Sequence, residues 1–145
     1  MRFNRANPEA CTYLLCYISS ARTTLEPADI EQILRTSRVN NRRSGVTGLL
    51  MVGNRRFLQL LEGDEAAVRA TYDRILGDTR HYAPVIVDQR DVDDRQFGEW
   101  DMGLVRPEDD QGQRLLAILA TIRDANLRAQ FQGFFEIHGE RLSAA

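Results

Sequence analysis

No stretch of this chain is apolar for long enough to cross a bilayer, which takes a run of about 18 residues or more. Residues 1–10 carry Arg2, Arg5 and Pro8 where a signal peptide would have its apolar stretch. Both absences predict a cytoplasmic protein with no membrane partner. Cysteine is scarce. Cys11 and Cys16 are too few for a disulfide framework, and their spacing fits neither a redox pair nor a zinc site. Small packing residues, buried or half-buried, is the better reading of both. Histidine is limited to His81 and His138, so no His/Cys/carboxylate cluster is present to hold a metal. Neither sign of charge dominates: 19 Lys plus Arg against 21 Asp plus Glu leaves a net charge of −2. A general nucleic-acid footprint needs a basic patch, so no direct nucleic-acid partner is predicted. Repeats, low-complexity tracts and flexible linkers are also missing.

What is there suits one domain with a real core, since the chain has 145 residues. Residues 12–19 (TYLLCYIS) are β-prone and mostly apolar, as in a strand buried on both faces. Glu26-Pro27 opens a helix with proline in its first turn, and Ile30, Ile33, Leu34 and Ser37 keep helical spacing to about Asn40. Residues 45–52 (GVTGLLMV) read as a second strand, Gly53-Asn54 as a tight turn, and residues 56–62 (RFLQLLE) as the hairpin partner. Asp64 is placed to cap a second helix, whose stripe runs through Ala67 or Val68, Thr71, Tyr72, Ile75 and Leu76 to a stop at Gly77. Residues 84–89 and 100–105 read as strands four and five.

The order β-α-β-β-α-β-β predicts an α+β, ferredoxin-like fold with one extra strand. Its five-stranded mixed sheet would carry two helices on one face. Beyond Pro107, Leu115, Leu116, Ile118, Leu119 and Ile122 form one apolar stripe, and Leu127, Phe131, Phe134 and Phe135 form another. A sheet buried on both faces needs a second cover. Residues 1–106 are therefore expected to form the ligand-binding domain. Residues 107–145 are expected to be a helical extension that packs on the other face or makes a dimer or partner surface.

A few polar residues fit a plain core poorly. In residues 57–61 (FLQLL), strand alternation puts Gln59 on a face with Phe57 and Leu61 while the other face is also apolar. A buried amide left without partners costs about 1–3 kcal/mol, so Gln59 either meets neighbouring backbone or water, or meets a ligand. Asn41 continues the buried stripe of the first helix and is either a helix terminator or a ligand contact; termination is the simpler reading of Asn40. Thr71, Arg74, Ile75 and Asp78 share one side of the second helix, where Arg74 and Asp78 could form a solvated ion pair. Two helices side by side would leave a slot for a flat polar ligand. Tyr17 lies mid-strand, and Trp100 and Met102 are expected to alternate to one face of strand five, positions more often filled by core residues.

The segments LLCYISSA, SRVNNRRSGVTGLL, RFLQLLEG, DRILGDTRH and FGEWDMG, over about residues 13–104, resemble the BLUF family, the sensors of blue light using FAD. They stand in the family's order and at its spacing. The resemblance implies a non-covalent FAD. It makes Tyr17 the photoactive tyrosine, Gln59 the glutamine between that tyrosine and the flavin, and Asn41 the residue at the flavin's pyrimidine edge. Arg74 and Asp78 match positions that bond the same ring end in some members, and Asn40 a position that varies between Asn and His. Arg80 and His81 match a segment near the ribityl chain or ring, and Trp100 and Met102 the switchable pair of the last strand.

The implied mechanism is transfer of an electron and a proton from Tyr17 towards the excited flavin, with Gln59 as relay. Gln59 is left rotated or tautomerised, hydrogen-bonds the flavin C4 carbonyl more strongly, and shifts the absorption slightly to the red. The residues after Arg106 are too few for a fused cyclase or phosphodiesterase, so the expectation is a non-enzymatic photoreceptor that signals to a downstream protein or through homo-oligomer formation. Its rivals are a flavin- or small-ligand-binding enzyme on a ferredoxin-like fold and a purely structural interaction domain. Against an enzyme, the chain shows no nucleophile-base pair and no glycine-rich dinucleotide fingerprint: Gly45-Val-Thr-Gly48 has the wrong spacing and lies inside a strand.

Overall fold

A computed structural model describes residues 12–53, 55–98, 100–106 and 113–139. Cys11 lies outside them. The elements run β1 (Thr12–Ala21), α1 (Pro27–Ser44), β2 (Thr47–Gly53), β3 (Arg56–Gly63), α2 (Glu65–Leu76), β4 (His81–Val92), β5 (Gly103–Val105), α3 (Gln113–Thr121) and α4 (Ala125–Phe134), with a π-helical turn at Phe135–Gly139.

The strands form one sheet in the order β4-β1-β3-β2-β5. β1 is antiparallel to both β3 and β4, β2 is antiparallel to β3, and β5 joins β2 in parallel. This is the ferredoxin-like order with a fifth strand added beside β2, so the sheet is mixed. Pro84 is tolerated in β4 because β4 is an edge strand and Pro84 falls in a break of the β1–β4 register, where it has no ladder partner. The β1–β4 register shifts between Cys16 and Tyr17 and again between Ile18 and Ser20.

Strand alternation sorts the sheet's side chains into two cores. On the near face Leu15, Tyr17, Leu50, Phe57 and Leu61 pack with Ile30 and Leu34 of α1 and Val68 of α2. On the far face Leu14, Cys16, Leu49, Met51, Leu58 and Leu60 pack with Leu115, Ile118 and Leu119 of α3 and Leu127, Phe131 and Phe134 of α4. Two helices therefore cover one face and the C-terminal helices the other.

Several boundaries differ from the sequence expectation. α1 does not stop near Asn40. It continues to Ser44, where Gly45 takes φ 74° and its N–H returns to the Asn41 carbonyl. A left-handed residue there is what glycine supplies without strain. Asp64 stands at the N-cap of α2 but makes no side-chain capping bond. Leu76 and Leu116 leave their stripes and are exposed. β4 is longer than expected at both ends, and β5 begins only at Gly103. Because residues 100–102 precede the strand, they do not alternate, and Trp100 and Met102 point to different faces. Trp100 packs with the far-face core and Met102 with the near-face core.

Candidate functional site

A cleft on the near face runs between α1 and α2, with a cavity volume of about 150 Å³. Its floor is the sheet, with Tyr17, Leu50, Phe57 and Gln59; Ile33, Ser37, Asn40 and Asn41 of α1 form one wall, and Thr71, Arg74 and Ile75 of α2 the other. Asp78, Arg80 and His81 close the end.

Tyr17 and Gln59 are direct partners across β1 and β3. The Tyr17 hydroxyl donates to Gln59 Oε1, and Gln59 Nε2 donates to Met102 Sδ at 3.4 Å. The three side chains make one buried chain of donors and acceptors under the cleft. Burial pushes the Tyr17 phenol well above its ordinary pKa, with smaller upward contributions from Tyr72, Cys16 and Asp78. Tyr72 packs against the Tyr17 ring at 5.2 Å between centroids, tilted by 56°.

Asn41 is 1% exposed, and its Nδ2 donates to the Asp101 carbonyl at 2.7 Å. Asn40, one residue earlier, is half-buried at the cleft wall. Arg74 is exposed, with Thr71 Oγ1 at 3.5 Å. It does not pair with Asp78 as the spacing suggested. α2 ends at Leu76, so Asp78 lies beyond the helix and pairs instead with Arg80, at 2.6 Å. The Arg80 hydrogen bonds hold the Asp78 carboxyl below the usual carboxylate range. The His81 ring is bonded at both nitrogens. Nε2 stands 2.7 Å from the Ile75 carbonyl, which can only accept, and Nδ1 stands 2.9 Å from Ser19 Oγ. In the neutral ring this puts the proton on Nε2 and makes Nδ1 the acceptor for Ser19.

All of Asn40, Asn41, Gln59, Arg74, Asp78, Arg80 and His81 thus line one cleft with Tyr17. Met102 reaches the cleft's chemistry only through Gln59. Trp100 lies on the opposite face, stacked on Phe97 at 5.4 Å. Sequence reasoning did not single out Arg38, whose Nε donates to the Met102 carbonyl at 2.9 Å. Its signal was position, three residues before Asn41 on the same side of a helix. Glu62 was also missed. It is fully buried on the far face and accepts from the Gln96 N–H and, at 2.9 Å, from the Phe97 N–H.

The donor set suits a flat heteroaromatic ring with a polar edge. Two buried amides supply both donors and acceptors, a guanidinium stands alongside, and Ile33, Leu50, Phe57 and Ile75 give apolar walls. Among the described residues no group of three or more His, Cys, Asp or Glu is placed to hold a metal ion, and no helix is long and apolar enough to cross a membrane.

A family model for sensors of blue-light using FAD matches residues 12–103. The photoactivated adenylate cyclase subunit alpha of Euglena gracilis is 34% identical over 93 residues, 64% of this chain and 9% of that protein. The blue light- and temperature-regulated antirepressor BluF of Escherichia coli (strain K12) is 36% identical over 90 residues, 62% of this chain and 22% of that one. This chain therefore corresponds to a small part of the curated relatives it matches. Among solved structures, BlrB, a BLUF protein in its dark state, is 35% identical with a TM-score of 0.66, covering 73% of this chain and 78% of that one. A Klebsiella pneumoniae BlrP1 structure is 23% identical with a TM-score of 0.76, covering 86% of this chain and 33% of that one, a likeness of fold. With more than half of its residues matched by the family model, this chain belongs to the BLUF family, the sensors of blue light using FAD.

Proposed function

We propose that this chain is a non-enzymatic blue-light photoreceptor whose photoactive element is the Tyr17–Gln59 pair, and that it signals to a separate protein. The observation that carries the reading is the buried Tyr17–Gln59–Met102 chain at the floor of a cleft lined by Asn41 and Arg74. FAD would be held there without a covalent bond and would supply the blue absorption and the electron acceptor. Asn41 and Gln59, with Asn40, Arg74 and Asp78, hold the polar ring edge, and Arg80 and His81 stand at the cleft end.

Each step then falls to groups of this chain. Tyr17 is the electron and proton donor. Its phenol is protonated at neutral pH even at the ordinary tyrosine value, and burial raises that value further, so the proton does not leave ahead of the electron. The proton has a path already formed, along the hydrogen bond to Gln59 Oε1. When the electron returns, so does the proton, and the Gln59 amide is left rotated or tautomerised. Its donor end then turns from Met102 Sδ into the cleft, which strengthens the hydrogen bonding there and shifts the absorption slightly to the red. Met102, released by Gln59, changes its packing beside β5. The change passes to the far-face helices, and Leu116 and Ile137, exposed there, supply apolar surface for a downstream protein or a second copy.

Recording the absorption of the purified protein before and after blue light tests the proposal. A yellow protein with a small red shift that reverses in the dark is expected. A folded protein that stays colourless with added flavin overturns it, and a flavin bleached to a stable reduced form by a substrate favours an enzyme.

A further inference from the structure

We infer that Arg38 is a positioning residue for the photoactive centre: its guanidinium fixes the Met102 main chain, and so the Met102 sulfur, beside the Gln59 amide. The inference rests on the photosensor reading above and adds to it a residue that does not itself line the cleft.

Asp101 and Met102 lie in the irregular lead into β5, and α1 side chains take their carbonyls. Asn41 Nδ2 donates to the Asp101 carbonyl at 2.7 Å, and Arg38 Nε to the Met102 carbonyl at 2.9 Å. Arg42 adds an ion pair with the Asp101 carboxylate at 2.9 Å. Residues 38, 41 and 42 share one side of α1 by helical spacing, so one helix face grips two consecutive residues.

The three contacts are not equivalent. Arg38 and Arg42 are both exposed, but Arg42 holds a carboxylate through an ion pair that water screens. Asn41 lines the cleft, so changing it also changes the ligand site. Arg38 donates to a neutral carbonyl of the same residue whose sulfur accepts from Gln59. The Gln59 amide must leave that sulfur in the light and find it again in the dark. A Met102 held in place stabilises the dark arrangement and guides the return.

Two readouts test this. In flavin-free protein labelled at the methionine methyl carbons, Arg38→Ala should shift or broaden the Met102 resonance. Arg38→Lys should restore it in part, and Arg35→Ala, an exposed change on the same helix, should leave it unchanged. In the flavin-loaded protein, Arg38→Ala should slow dark recovery by up to about tenfold, the scale of one lost hydrogen bond. Arg38→Gln serves for both readouts if Arg38→Ala does not fold. An unmoved Met102 resonance overturns the inference. So does dark recovery that is unchanged or faster in a variant whose parent photocycles. A parent protein with no reversible red shift overturns the photosensor reading instead, while the methyl resonance still decides whether Arg38 positions Met102.

Discussion

Gln59 and Met102 meet at 3.4 Å, amide nitrogen to sulfur, and this contact joins the middle of β3 to the lead into β5. It sits in series with the Tyr17–Gln59 bond, so the amide has a different partner at each end. An amide held by a strong acceptor at its donor end would resist turning. A thioether is a weak one, and the arrangement leaves Gln59 well tethered to Tyr17 and loosely tethered to Met102.

From this follow the expected effects of Tyr17→Phe and Gln59→Leu. Both should keep the fold and the flavin and abolish the reversible red shift, read by light-minus-dark absorption. Tyr17→Phe strands the buried Gln59 Oε1 and should cost about 1–3 kcal/mol of unfolding free energy. Gln59→Leu strands a buried hydroxyl and should cost about 1–3 kcal/mol. A normal shift in either variant removes that residue from the mechanism.

Asn41→Ala should act on two properties at once. The Asp101 carbonyl loses its donor, a destabilisation of about 1–3 kcal/mol measurable by denaturant unfolding. The flavin-to-protein ratio after purification should also fall. Stability loss with undiminished flavin would reduce Asn41 to a clamp on residue 101.

Glu62 should make stability depend on pH in an unusual direction for a carboxylate. Burial raises its pKa above the ordinary value of 4.5, against the lowering effect of the Gln96 and Phe97 N–H bonds and of Arg95. The folded state therefore holds this proton more tightly than the unfolded chain does. Its contribution is fully present below the unfolded pKa and is lost as pH rises through the folded one. Unfolding free energies of the parent and of Glu62→Gln, compared across the window above 4.5, should show this slope in the parent alone. Glu62→Ala orphans two backbone N–H groups, at about 1–3 kcal/mol each.

Asp124 ties the C-terminal helices to the sheet edge. Its Oδ1 caps α4 through the Leu127 N–H at 3.1 Å, and its Oδ2 accepts from Arg90 of β4 at 2.7 Å. Asp124→Ala loses both and should cost about 1–2 kcal/mol, most of it the cap. Asp124→Asn keeps the cap and should recover more than half. Equal losses in the two variants, measured by thermal unfolding, would transfer the weight to the ion pair with Arg90.

Sequence by itself decided the parts of this protein that depend on local pattern. Alternation in FLQLL put Gln59 inside the sheet, and the stripe from Ile30 carried Asn41 to the buried side of α1. The order of elements specified the ferredoxin-like arrangement, and the motif order specified the family. Local pattern failed where the chain leaves regular structure, because period arguments need a regular period. The i,i+4 spacing offers Arg74 to Asp78, but that rule holds only inside a helix and Asp78 lies past the end of α2, so its partner, Arg80, is set by the loop. Alternation from residue 100 puts Trp100 and Met102 on one face, but β5 starts only at Gly103 and the alternation does not hold before it. Which of them meets Gln59 was decided by tertiary structure alone: α1 takes the carbonyls of residues 101 and 102, the sulfur turns to the near face, and the indole is left to stack on Phe97.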